Sequence, residues 1–453
     1  MTSISFNTRP SRALYGRLIR LAWPIAVSTL SYTFMTVVDT WFMGRIGSSA
    51  IGGVGLGGIA AFTSVCFGFG LLRAVKVLCA QAVGAGERHK LPSTVGAGLV
   101  TAGLLAGLSL LVGMCILLVL PRFASAGETS RIAQEYLKIR LYGTPLVLAS
   151  VALREARYGV SDSRSPMRAA LVANLVHVPL NYALMFGLAF GFKGAAYATL
   201  LVQSLELALL WAAQRPDGFG LSRVRARDVL EVMRIGVPVG LEFFLGVSAF
   251  SLLVILISRM GDAQLAAHQI AIQVTHVSFM PALAIGEAAS VLTGNAVGAR
   301  EDQQVGPITL AAVTIAGAYA GLCAVLFLLL ARPIFGGFTS DAAVIAVGVR
   351  LLDVAALFQV FDAVNIVARS VLRGTGDVRF PALVSVTSSW LFLPPLTFWL
   401  GVHHRLGAVG GWWALTVEIT ATGVLLCMRL QRGSWRRAAE QSRLRLAALE
   451  VAP

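Results

Sequence analysis

Long apolar stretches separated by short, arginine-rich connections run the whole length of the chain. Residues 95–120, 308–331 and 380–401 are nearly free of charge. Each is long enough to cross the ~30 Å hydrocarbon core of a bilayer as a helix. In hydrocarbon a segment must pair its own backbone polar groups, so spans of this kind form helices. Twelve are predicted, at about 14–38, 50–83, 94–120, 134–157, 167–188, 194–214, 229–257, 264–296, 307–331, 342–371, 380–401 and 407–429. The first follows Arg9, Arg12, Arg17 and Arg20. It is too long for a signal-peptide core and lacks a small-residue cleavage site, so it is read as a membrane span.

Composition agrees with this pattern. The 453 residues are 57% hydrophobic and only 13% charged, against about 25% charged in soluble domains. A net charge of +15 could point to nucleic acid, but its distribution does not. Twenty-two arginines and lysines fall on the side of the N-terminus and ten on the other. The positive-inside rule then puts both termini in the cytoplasm, which an even number of spans requires. The remaining charge suits contact with anionic lipid heads, and no nucleic-acid partner is expected. Cys66, Cys79, Cys115, Cys323 and Cys427 all lie in apolar runs without metal-site or disulfide spacing, and are read as small core residues.

The chain is an internal repeat. Residues 20–86 align with 234–300 without a gap at an offset of 214, pairing Arg20 with Arg234, Pro24 with Pro238, Gly47 with Gly261 and Ser64 with Ser278. The run Ala82-Val83-Gly84-Ala85 recurs as Ala296-Val297-Gly298-Ala299. Further on the offset is 215, pairing Arg154 with Arg369, Asp162 with Asp377, Pro166 with Pro381 and Pro179 with Pro394. Six spans per copy means that both copies enter the membrane from the same side, as parallel repeats. The expected fold is an all-α integral membrane protein of 12 transmembrane helices in two six-helix bundles. Its expected parts are an N-terminal lobe (1–214), a cytoplasmic linker (215–228), a C-terminal lobe (229–430) and a basic cytoplasmic tail (431–453).

Several stretches resemble the MATE (multidrug and toxic compound extrusion) family. They are Val37-Val38-Asp39-Thr40-Trp41-Phe42-Met43-Gly44, Ala80-Gln81-Ala82-Val83-Gly84-Ala85-Gly86, Leu265-Ala266-Ala267-His268-Gln269-Ile270, Gly294-Asn295-Ala296-Val297-Gly298-Ala299, Gln359-Val360-Phe361-Asp362-Ala363-Val364 and Leu372-Arg373-Gly374-Thr375-Gly376-Asp377. Their order and doubling extend the resemblance over about residues 14–430. It implies two lobes around a central cleft, and antiport in which inward H⁺ or Na⁺ flow drives export of small cationic or amphipathic compounds. A monomer in the cell's inner membrane is expected, with no metal and no cofactor beyond the coupling ion.

A charged side chain at the bilayer centre costs at least about 2.5–3.5 kcal/mol, so in-span acids are singled out. Asp39 is read as the coupling-ion residue, and the resemblance places the family's first-helix acid here. A structural hydrogen bond to a neighbouring helix is the alternative. Asn174, His177 and Asn181, spaced by three and four, share one helix face and are its expected partners. Thr199 falls where the family adds a hydroxyl. One carboxylate beside a histidine suits H⁺ better than Na⁺, although Na⁺ at Asp39 or Asp362 stays open, and His177 reads as readily as a satisfied interior histidine.

In the second half the resemblance makes Asp362 a second cation-site acid, with Gln269 and Phe361 in the same cleft. Relatives often carry a glutamate eight residues after the seventh-helix proline, where this chain has Gly246. Glu242 lies one turn earlier, and whether it substitutes is open. Arg73 and Glu287 are repeat mates of opposite charge and form a candidate gate, unless Arg73 simply reaches toward head groups. The mate of Asp39 is Leu253 and that of Asp362 is Val147, so the scaffold is duplicated and the chemistry is not. A flippase for a lipid-linked precursor is the alternative function. An enzyme is not expected, because no hydrolase or zinc-protease motif, catalytic aspartate pair or phosphate loop appears in the spans.

Overall fold

A computed structural model describes residues 9–123 and 127–451, and among these all regular structure is helical. In chain order the helices are α1 (Arg12–Gly44), α2 (Ser48–Leu71), α3 (Arg73–Gly84), α4 (Leu91–Phe123), α5 (Glu128–Tyr142), α6 (Thr144–Gly159), α7 (Arg164–Tyr182), α8 (Phe192–Gln214), α9 (Ala226–Ser258), α10 (Asp262–Gly298), α11 (Val305–Phe338), α12 (Ala342–Gly374), α13 (Arg379–Leu396), α14 (Ala408–Gln431) and α15 (Arg436–Val451). Among the described residues eleven helical stretches are long and apolar enough to cross a membrane, with α2 and α3 forming one of them.

The twelfth span, expected at 134–157, is made of two consecutive helices, α5 and α6, meeting at Gly143. Pro145 explains the break, because it has no N–H to donate to the carbonyl of Leu141 one turn back. Glu135, Lys138 and Arg140 also make α5 the least apolar part of that span. The cysteine reading needs one correction. Cys66, Cys79 and Cys323 are buried, but Cys115 is exposed on the outer face of α4.

The repeat is visible in the backbone. Left-handed φ values recur at matching positions: Gly47 and Gly261, Gly86 and Arg300, Ser161 and Gly376, Ala189 and Arg405, Gly191 and Gly407. Pro179 in α7 is followed by a wide π-helical turn at Ala183–Gly187, and Pro394 in α13 by another at Thr397–His403. Pro24 in α1 and Pro238 in α9, at matching positions of the repeat, leave the carbonyls of Arg20 and Arg234 without their helical donors. In the first copy Arg157 grips Asp162 at 2.6 Å, and in the second Arg429 grips Asp377, the mate of Asp162, at 2.8 Å. Burial raises the Asp162 carboxyl, but the donors from Ser165 and Arg157 outweigh it and hold it below the ordinary carboxylate range.

The chain forms two compact units. One contains Val27–Val83 and Glu87–Phe244; the other contains the described residues up to Ala26, Gly84–Gly86 and everything from Leu245 on. The unit boundaries therefore fall inside α1 and α9, shortly after Pro24 and Pro238. In the second unit Leu14, Leu18 and Ala22 of α1 pack in one core with Ile285, Val367, Leu426 and Trp435. In the first, the early part of α9 is held by close backbone approach. Gly236 and Gly240, spaced as Gly-x-x-x-Gly, lie against Leu71 and Phe67 of α2. A methyl at Gly70 would stand 2.7 Å from the carbonyl oxygen of Val239 and 2.8 Å from Cα of Gly240. Gly70→Ala should therefore destabilise the purified protein by about 1–3 kcal/mol. Gly246→Ala, with nothing within 4 Å of the added carbon, should leave thermal unfolding in detergent unchanged.

Candidate functional site

The 3.6-residue helical period puts Asn174, His177 and Asn181 of α7 on one face, and all three are buried. That face meets α1 within the first unit. Asp39 Oδ1 lies 2.8 Å from His177 Nε2 and accepts a hydrogen bond of 2.6 Å from Asn181 Nδ2. The two nitrogens converge on one carboxylate oxygen. The side chain of Asp39 keeps 20% of its surface exposed, whereas that of His177 is fully buried. The carboxylate is thus reachable from one side while its partners are fixed from the other.

Asn174 does not reach Asp39. Its Nδ2 donates to Ser31 Oγ at 2.7 Å, one face of α1 nearer the N-terminus. Thr199 of α8 donates to its own helix, to the carbonyl of Ala195 at 2.9 Å, and lies beside Tyr136 of α5. Tyr136 and Arg140 of α5 are within electrostatic reach of Asp39. Arg140 is a site residue that the sequence alone conceals, because helical spacing says nothing of which residues of α5 approach α1. Three buried side-chain atoms point into this cluster's surroundings with no hydrogen-bond partner among the described residues: His177 Nδ1, Asn181 Oδ1 and Asn174 Oδ1.

The remaining candidates are distributed over both units. Asp362 of α12 is in the second unit, within electrostatic reach of Arg369 and Glu418. Glu418 Oε1 accepts from Ser389 Oγ at 3.0 Å and from Thr422 Oγ1 at 3.3 Å. Phe361 and Gln269 are exposed in the same unit, and His268 beside Gln269 is buried, accepting from Trp412 Nε1 at 3.0 Å. Glu287 is buried on α10, also in the second unit. Glu242 is buried on the part of α9 that belongs to the first unit, and Arg73 of that unit stands 5.7 Å from the ring of Phe243. The in-span acids Glu206 and Glu418 belong to none of the family-like motifs. The cost of burying a charge is the signal that picks them out.

A helical membrane protein whose spans enclose paired, hydrogen-bonded carboxylates has the makings of a secondary transporter. The MatE family model matches residues 24–183 and again 238–399, once in each repeat. The chain is 31% identical over 440 residues to the probable multidrug resistance protein NorM of Deinococcus radiodurans, covering 95% of this chain and 98% of that protein. It is 31% identical over 428 residues to the multidrug resistance protein NorM of Burkholderia vietnamiensis, covering 90% and 92%. Its fold matches the eukaryotic MATE transporter AtDTX14 with a TM-score of 0.86 at 21% identity, over 96% of this chain and 99% of that one. It matches the Vibrio cholerae MATE transporter VcmN in the bent form at 0.83 and 19% identity, over 95% and 98%. The chain belongs to the MATE family and is a multi-pass efflux transporter.

A buried charge that loses a donor costs more than a neutral group in the same place. Asn181→Leu should therefore lower stability by about 1–3 kcal/mol when Asp39 is present, and by less in an Asp39→Asn background. Thermal unfolding of the four proteins in detergent measures the difference.

Proposed function

We propose that this transporter exports small cationic or amphipathic compounds across a bacterial inner membrane in exchange for inward protons, by alternating access. Asp39 is the proton carrier in this reading. The observation behind it is the donor set at Asp39: both close partners, His177 Nε2 and Asn181 Nδ2, present nitrogen to the carboxylate. Sodium is a hard cation and takes oxygen ligands. A proton needs only the carboxylate.

The chemistry follows from the two states of the acid. Ionised, Asp39 accepts the Asn181 amide and the His177 N–H, two charge-assisted bonds that tie α1 to α7. Protonated, it carries a donor of its own and loses the charge that strengthens both bonds. Each conformation is therefore favoured by one protonation state, and a gradient of protons biases the exchange between them. Thr199 and Asn174 complete the polar lining, with Asn174 acting through Ser31. Asp362, with Glu418 and Arg369, is the candidate cation site of the second unit, where Phe361 and Gln269 are exposed to an arriving compound. The NorM relatives bear multidrug-resistance names, which supports small organic cargo and lends nothing to the flippase reading. Both termini in the cytoplasm fit the basic segments on the N-terminal side, and the transporter is proposed to work as a monomer.

Proteoliposomes loaded with a fluorescent organic cation, under separately imposed pH and Na⁺ gradients, test the proposal. Efflux should follow the pH gradient alone, and Asp39→Asn should reduce it to the level of empty liposomes. Asp362→Asn should weaken cation efflux while leaving a neutral amphipathic cargo less affected. Efflux driven by Na⁺ but not by pH would reassign the ion.

A further inference from the structure

Seven residues before Asp39, α1 carries a second polar attachment. The Tyr32 hydroxyl donates to Glu206 Oε1 of α8 and accepts from Arg154 Nη1 of α6 at 3.2 Å. Arg154 and Glu206 are themselves paired at 3.7 Å, with side chains 18% and 10% exposed. The hydroxyl is thereby held between a cationic donor and an anionic acceptor, which together fix its direction. Seven residues is close to two full helical turns, so Tyr32 and Asp39 lie on the same side of α1. Ser31, bonded to Asn174, lies beside Tyr32.

The cluster also breaks the repeat in the same way as Asp39 does. Arg154 has a mate, Arg369, but the position matching Tyr32 is Gly246, and at the offset of 216 set by Gly191 and Gly407 the position matching Glu206 is Thr422. In the second copy Arg369 Nη2 donates to Asn365 Oδ1 on its own helix at 3.1 Å. In the half that holds Asp39, Arg154 of α6 reaches Tyr32 of α1 and Glu206 of α8.

We propose that Tyr32, clamped by Glu206 and Arg154, is a positioning residue that sets the rotation of α1 and so keeps the Asp39 carboxylate on His177 and Asn181. The proposal rests on the proton-coupled reading. A rotation of α1 by about 20° moves a side-chain tip ~6 Å from the helix axis by about 2 Å. That is enough to break bonds of 2.6 and 2.8 Å. The groups facing Asp39 are His177 from α7 and Tyr136 and Arg140 from α5. Those facing Tyr32 are Glu206 from α8 and Arg154 and Tyr158 from α6, with Glu155 of α6 facing Arg154. Without the clamp, Asp39 spends less time on donors that favour its ionised form, so it takes up a proton at higher pH.

The test measures efflux against pH in proteoliposomes, together with the ring ¹⁵N signals of histidine-labelled protein in detergent, His177 being assigned by its loss in His177→Asn. Tyr32→Phe leaves the Arg154–Glu206 pair in place. It should keep transport, move the half-maximal pH upward by about half a unit or more, and shift the His177 signal. Glu206→Gln should move both in the same direction, and the double variant no further than the larger single. It also carries the test if Tyr32→Phe does not purify. An unmoved midpoint with an unmoved His177 signal, whatever the maximal rate, overturns the clamp, as does a downward shift. If wild-type efflux ignores the pH gradient, proton coupling fails. The His177 signal then decides alone: moved in Tyr32→Phe, the clamp stands; unmoved, it falls.

Discussion

A carboxylate cannot sit ionised in hydrocarbon without donors, and this constraint ties the first helix to its unit. Asp39 has its donors on α7, at Asn181 and His177. Because those donors come from another helix, the bonds to Asp39 also hold α1 against α7. The same constraint recurs at Glu206, which takes Tyr32 and Arg154, and at Glu418, which takes Ser389 and Thr422. At Asp39, Glu206 and Glu418 one helix is fastened to another by polar chemistry. Other polar links, such as Trp412 to His268 and Ser278 to Gln359, lie among apolar side chains and glycine.

Duplication supplies the frame on which those fastenings are placed. Prolines, left-handed turns and π-helical turns recur at matching positions, because they set where helices bend and end. Backbone geometry of that kind tolerates little substitution. The acids are free to differ, and they do: Asp39, Glu206 and Asp362 have the mates Leu253, Thr422 and Val147. One half thus holds a carboxylate opposite a histidine and an asparagine. The other holds an acid beside Arg369 and Glu418.

The exchange of helix segments between the units has a similar origin. Gly236 and Gly240 permit the early part of α9 to touch α2 at the backbone, while Leu14, Leu18 and Ala22 seat the early part of α1 among α10, α12 and α14. Pro24 and Pro238 lie near the points where α1 and α9 pass from one unit to the other. A helix that lacks one internal hydrogen bond there bends at lower cost than an unbroken one.

The sequence by itself determined the spans, their number and the repeat, because hydrocarbon thickness and backbone satisfaction leave a 20-residue apolar run few alternatives. It also placed Asn174, His177 and Asn181 on one face, since their spacing is a property of a single helix. Only the tertiary structure decided the pairings across helices. Tyr32 meets Glu206 across 174 positions, and Asn174 turns to Ser31 rather than Asp39. Arg140 of α5 comes within electrostatic reach of Asp39 on α1, a meeting that no single-helix period could show. Periodicity fixes directions around one axis. Which axes come together, and at what rotation, is settled by the packing of all of them at once.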